Sequence, residues 1–383
     1  MTTHRRQKGQ VLATFAFCMV ALVGFMGLAI DMGYLRLVKR KMQSAADSAA
    51  IAGASQLKIG GVTAAAQADA ARDGYTDGTN GVVVTVNAPT SGSHIGASFV
   101  EVVVSQPQPT FFMKIFGVNS AAMSARAVAT LGSSTTGCMY ALHPGGTAIT
   151  TVGNVDLEAP TCGIISNGDM NVSGASTQIK AASIGVAGRY VKSGSPVVTP
   201  TPQEGIAQVS DPLAYLTPPA VGACTNFPSS STVNPGTYCG ITINSGTVTF
   251  NPGLYITTGG MSIKANATVQ SSGLTIYVDS GSVSFAGNST VELSAPTSGP
   301  YAGILFWQNP ADTSGASLLG NNPANLNGAL YFPEAPLDIG GTDGTGYTII
   351  VADSIRFHGN PEIGSNYSSL GNGSPVKDAV LVE

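Results

Sequence analysis

Residues 11–30 read VLATFAFCMVALVGFMGLAI, a run with no charged side chain, and no proline separates it from the alanine-rich stretch that follows. Twenty helical residues rising about 1.5 Å each match the roughly 30 Å hydrocarbon core of a bilayer. Nothing in that core pairs with a bare backbone, so a single such span has to be a helix. A secretory signal peptide has a shorter apolar region, about 7–15 residues, followed by a small-residue cleavage site. Here Asp31, Arg36, Lys39, Arg40 and Lys41 follow on a helical pattern without a break. The expectation for residues 1–55 is a short tail, a retained membrane helix and a helical stalk, with the lipid bilayer as first partner.

Beyond the span, Leu35, Val38, Met42, Ala45, Ala49 and Ala52 recur at three- and four-residue intervals, as on one helix face. Ala45, Ala46, Ala49, Ala50, Gly53 and Ala54 form a face of small residues. Such a face lets a second helix approach closely; alanine is also simply the best helix former. Residues 62–73 (VTAAAQADAARD) predict a short helix, 81–87 and 100–105 two valine-rich strands, 110–117 (TFFMKIFG) a turn or two of helix, and 121–131 a third strand. Residues 56–136 thus read as a small α+β module.

From residue 137 to 383 the texture changes to short β-branched or aromatic runs punctuated by Gly, Asn-Gly and Pro-Gly. Asn234-Pro235-Gly236-Thr237-Tyr238 recurs as Asn251-Pro252-Gly253-Leu254-Tyr255, and Ser282-Val283-Ser284-Phe285 as Ser354-Ile355-Arg356-Phe357. The second pair lies 72 residues apart, equivalent to three turns of 24, and Met261-Ser262-Ile263 and Met170-Asn171-Val172 look like degenerate copies. Runs at 274–278, 304–307, 329–332 and 348–351 are candidates for successive rungs. The fold expected is a parallel β-helix, with a β-sandwich as the alternative. Residues 197–219, with Pro200, Pro202, Pro218 and Pro219 among them, predict a long loop or a linker across its surface.

Apart from Cys18 in the span, four cysteines remain, forming two short-range pairs in sequence, Cys138 with Cys162 and Cys224 with Cys239. An even set suggests disulfides and an oxidising compartment, although four cysteines allow three connectivities. No C-x-x-C spacing supports a metal. Residues 137–383 carry 6 Lys/Arg against 15 Asp/Glu, an unfavourable surface for nucleic acid. Because β-helices host polysaccharide enzymes, a pair of facing carboxylates would be the mark of such an activity here. Asp338, Asp343 and Asp353, near Arg356 and His358, are the best concentration, and most simply they are turn residues. Tyr301, Phe306 and Trp307 offer either a glycan-binding platform or a buried rung. No catalytic, cofactor or metal site is expected.

Residues 6–55 resemble the N-terminal segment of the TadE/TadG-like proteins of Flp pilus assembly, the bacterial tight-adherence system. The resemblance rests on the basic residues before Gly9, the apolar span, Asp31-x-Gly33, and the run from Met42 through Gln43, Ala45, Ala46, Asp47, Ala49, Ala50 and Gly53 to Ala54. It extends more loosely to Leu131. It implies a non-enzymatic, single-pass inner-membrane component of pilus or envelope assembly. The N-terminus would be cytoplasmic and the β-rich region periplasmic or extracellular, and other pilus-assembly or pilin-like subunits would be partners through the N-terminal helix. A surface glycan is a further candidate partner. Pilin-like members are cleaved after a glycine, which makes Gly9 and Gln10 a candidate processing site. The glutamate common at the fifth mature position is here Thr14. Asp31 reads as an interfacial carboxylate or as a contact for another subunit's basic residue.

Overall fold

The computed structural model describes residues 8–57, 60–133, 137–285, 287–319, 324–341, 346–371 and 373–383. The chain divides into two compact units, one of Met1–Gly132 with Asp378–Glu383 and one of Ser133–Lys377.

In the first unit, a sequence rich in alanine, leucine and methionine with no interior proline makes one unbroken helix, α1, Lys8–Ser55. It is long and apolar enough to cross a membrane. Phe15, Phe17, Leu22, Phe25 and Ile30 stand exposed along its first half. From Val38 onward one face turns inward: Val38, Met42, Ala45 and Ala49 are buried, on the spacing of a helix with one apolar stripe. A short helix, α2 (Val62–Arg72), packs on it through Ala66 and Ala70. Strands β1 (Val83–Asn87), β2 (Phe99–Pro109) and β3 (Ser120–Ser133) form an antiparallel meander. Alternate residues Val100, Val102 and Val104 of β2, and Ala125, Ala127 and Ala129 of β3, face the helices. The helical stretch expected at 110–117 is a single 3-10 turn, Met113–Phe116. A fourth strand, Lys377–Leu381 at the end of the chain, joins the sheet beside β3. In sequence, the second unit is therefore an insertion between two neighbouring strands.

That unit is a parallel β-helix of about ten turns. The pairings between its strands are parallel, which excludes the sandwich. From one end, Gly236–Tyr238 pairs with Gly253–Thr257, and then follow Leu274–Val278, Ile304–Gln308, Asn325–Ile339 and Thr348–His358. The stack does not stop there. Thr348–His358 pairs onward with Gly137–Ala141, followed by Asp156–Ser166 and Gln178–Val186. The chain therefore begins its solenoid in the middle, winds outward, crosses back, and winds again until it meets its own first turn.

The weak repeats mark this stack. Val283 lies beside Ala316, Ala316 beside Leu337, and Leu337 beside Ile355, so the two Ser-x-Ser/Arg-Phe copies sit three turns apart, as the 72-residue interval predicts. The turns are unequal, because residues 295–303 and 309–315 bulge out as loops. Met261 and Met170 fall in the same column. In the Asn-Pro-Gly motifs, the Tyr238 and Tyr255 hydroxyls each donate to the carbonyl four residues back, at 2.7 and 2.8 Å, and Asn251 donates to Asn234 at 2.7 Å.

Leu274–Val278 and Ile304–Gln308 are buried at every position, so both their faces are covered. Phe306 lies between the Phe285 ring, tilted against it at 6.1 Å, and Phe332, stacked at 6.4 Å, on one face; on the other Trp307 lies 5.1 Å from Tyr277 and 6.4 Å from Tyr331. Part of the second face is roofed by the returning segment. After the short strands Val197–Thr199 and Gln203–Glu204, residues 205–231 form a strap along the turns. Ile206 fills the space over Gly185, where a Cβ would come within 2.7 Å of it. Asn167 brackets the Val209 backbone with two hydrogen bonds of 2.8 Å. Leu213 is fully buried, Tyr331 donates to the Asp211 carboxylate, and Tyr215 donates to the Pro375 carbonyl at 2.8 Å. Disulfide Cys224–Cys239 fastens the far end of the strap, and Cys138–Cys162 links two adjacent turns.

Candidate functional site

The residues singled out on α1 meet the rest of the first unit. Ala45, Ala46, Ala49, Ala50 and Ala54 are wholly buried, and Gly53 sits where a Cβ would lie 3.0 Å from Val100 and 3.3 Å from Ala66. Small side chains do permit close approach here, but the approach is intramolecular, between α1, α2 and β2. That face is consequently not presented to another subunit's helix. Gln43 donates to the Asp47 carboxylate at 2.8 Å and to the Arg126 carbonyl of β3 at 2.9 Å, and Ser48 donates to Asp73 at 2.8 Å. The bond from Gln43 to Arg126 ties α1 to the sheet at a defined rotation, which alanine contacts alone would leave slack. Gly33 is exposed, with open space around it. Gly9 and Gln10 lie in the first turns of α1.

Asp31 is engaged within its own unit. Its carboxylate accepts the backbone amides of Phe111 and Phe112 at 2.9 Å and of Met113 at 2.7 Å, which leaves the residue 1% exposed. It thus satisfies the free amides at the start of the 3-10 turn Met113–Phe116, as an acidic cap does. Phe112 lies against Gly27 of the apolar run, where a Cβ would fall 2.7 Å from its ring, and Tyr34 meets Phe111 edge-on at 5.3 Å. The signal available in sequence was the stretch TFFMKIFG itself, too apolar for an ordinary loop between strands.

The first unit closes its other flank with charge. Arg126 of β3 pairs with Glu101 of β2 and with Glu383, whose carboxylate also accepts the Ser93 amide at 2.8 Å. The Arg126 guanidinium, with that amide, holds the Glu383 carboxyl down to about 2.

On the solenoid, the two described carboxylates of the expected concentration each meet a basic side chain. Asp338 lies beside Arg356 of the next turn at 3.4 Å, and Asp353 pairs with His143 at 2.9 Å. Asp343 lies outside the described residues. Phe306 and Trp307 belong to the buried rung Ile304–Gln308, 0% and 1% exposed, so neither ring is offered to a glycan, while Tyr301 lies half-buried in the turn before it. Among the described residues, no group of three His, Cys, Asp or Glu side chains converges as a metal site would require. The two disulfides pair the cysteines that are near in sequence.

Comparison with known families places two matches on the first unit. Residues 9–56 match the family "Putative Flp pilus-assembly TadE/G-like", and residues 41–129 match "Putative Tad-like Flp pilus-assembly". The first covers nearly all of α1. The second runs from the stalk through α2 and the meander to Ala129 of β3. Comparison with curated proteins and with solved structures gives no match.

Proposed function

We propose that this protein is a membrane-anchored, non-enzymatic component of Flp-type pilus assembly that carries its β-helix outside the cytoplasm. One observation carries the reading: both family matches end within the compact unit that joins the apolar helix to the antiparallel sheet. Helix and module are locked together by the alanine face, so the anchor and the machinery-facing part act as one body. Two disulfides in the inserted β-helix support an oxidising, extracytoplasmic side for it, with the N-terminus cytoplasmic. The β-helix contributes a stable scaffold, tied into the sheet at both of its chain ends. Because the small face of α1 is used internally, other pilus subunits meet the exposed flanks of α1 or the module.

Intact mass of the chain in membrane and sheared-surface fractions of the producing cell tests this. Full-length chain confined to membranes is expected, together with loss of Flp-type pili when the gene is deleted and their return with the intact chain. A chain starting at Gln10 in sheared fibres would replace the tethered factor with a processed fibre subunit. Normal piliation in the deletion strain would sink the assembly role.

A further inference from the structure

The hairpin joining β2 to β3 turns through residues 110–118, TFFMKIFGV. Phe111, Ile115 and Phe116 are 55%, 80% and 70% exposed, and Phe112 and Val118 are exposed beside them. Single exposed apolar residues are ordinary, but this many on one short turn mark a contact surface. The turn is held in place twice. Asp31, the first charged residue after the apolar run, grips three of its amides, and the Phe112 ring rests on Gly27, inside that run. Gly27 lies four residues before Asp31, about 6 Å deeper along the helix axis.

We propose that the 110–118 turn is a second membrane-contacting element, seated among lipid acyl chains at the interfacial layer beside α1. The inference rests on the reading of α1 as a membrane helix. Three features of the molecule favour lipid over a protein partner. The exposed face of the turn continues the exposed apolar surface of α1, where Phe25, Met26 and Ile30 also stand free. Aromatic side chains are enriched at this level of a bilayer. Just beyond it along the helix, Arg36, Lys39, Arg40 and Lys41 are exposed, so apolar run, aromatic turn and basic band follow one another in the order of acyl chains, interface and lipid phosphates. Exposed Lys114 extends from the turn toward the same phosphates. Two points of contact would fix the height and rotation of the module on the membrane, which one helix leaves free. Asp31 is then a positioning residue for the turn.

The test is spin-label accessibility on the full chain in vesicles of phosphatidylethanolamine and phosphatidylglycerol. In a Cys18→Ser background the remaining cysteines are in disulfides, so Ile115→Cys, Phe116→Cys, Leu22→Cys and Ile95→Cys each carry one nitroxide. Ile95 is exposed in the loop at the opposite end of β2 and reports water. At positions 115 and 116 oxygen is expected to outcompete a water-soluble nickel chelate as relaxant, as at position 22, with the order reversed at 95. Asp31→Ala is expected to shift 115 and 116 toward the chelate and leave 22 unchanged. Chelate-dominated signals at 115 and 116 beside a lipid-like 22 would overturn the proposal and leave the anchor standing. Chelate dominance at 22 as well would remove the anchor reading itself. Labels at 115 and 116 shielded from both relaxants would mean that protein covers the turn, which also overturns the proposal.

Discussion

The two units bury their residues with opposite side chains. In the first, the helix–helix–sheet contact is lined by Ala45, Ala46, Ala49, Ala50, Ala66 and Ala70 against valines, so backbones lie close and little volume separates them. In the second, Phe250, Phe285, Phe306, Phe332 and Phe357 fill the spaces that the coiled backbone leaves, and Trp307 with Tyr277 and Tyr331 fills those on the opposite face of the strands. Close-packed interiors resist any change of volume, but the costly direction differs. Adding atoms should break the first unit. Removing them should break the solenoid.

The largest effect expected from this contrast is in the solenoid. Phe306→Ala empties a wholly buried site between two rings and should cost about 3–5 kcal/mol, read as a lower denaturant midpoint by the fluorescence of the single Trp307. A loss under about 1 kcal/mol would mean that the stack collapses around the gap, removing the asymmetry with the first unit. Next comes the strap. Opening the 15-residue loop closed by Cys224–Cys239, with both residues changed to serine, should cost about 3 kcal/mol and raise proteolysis within 205–231 before the core turns are cut. Equal protection of strap and core in that variant would show that the strap is held by its packing alone.

In the first unit, Ala49→Leu should cost about 1–3 kcal/mol by forcing α1 from its neighbours, seen as faster amide exchange in α2 and β2. A neutral result would mean that the alanines reflect helix propensity and not close approach. The smallest effects are electrostatic, and the units again run in opposite directions. Glu383 sits below its ordinary 4.5, so its contribution is present above that value and is lost as pH falls toward about 2. Carboxyl-carbon NMR should show that late titration, and Arg126→Gln should return it toward 4.5. Burial raises Asp211 above its ordinary 3.8, against the opposing hydrogen bonds from Tyr331 and the Leu213 amide. The folded state then takes up the proton first, so strap stability grows as pH falls through the raised value and is lost as pH climbs past it. Asp211→Asn should flatten that part of the Trp307-reported pH profile.

Much of this was legible residue by residue. Uncharged length announced the apolar helix, and the three- and four-residue spacing from Val38 to Ala49 identified its buried face. The run at 274–278 is a strand with those bounds, and the stacking of 274–278, 304–308, 325–339 and 348–358 follows their order in the chain. What escaped reading depends on partners far away in sequence. Nothing local in residues 137–141 says that they pair with 350–352, because parallel neighbours share a face pattern and not a complementary code. Lys377–Leu381 looks like any short strand and gives no hint that its sheet lies more than two hundred residues earlier. Asp31 reads as an interfacial charge because the amides that claim it are about eighty residues away.

By itself, the sequence determined the kinds of structure present: an apolar helix with a small-residue face, a small α+β module, and a repeating series of short β-strands. Those follow from periodicity and side-chain size, which act over a few residues. Tertiary structure alone decided that the solenoid begins in its own middle, that a strap roofs part of its second apolar face, that the alanine face is used internally, and that Asp31 holds an aromatic turn against the apolar helix. Each of these depends on which distant groups satisfy a buried surface or an unpaired amide, and that choice is made only when the whole chain has folded.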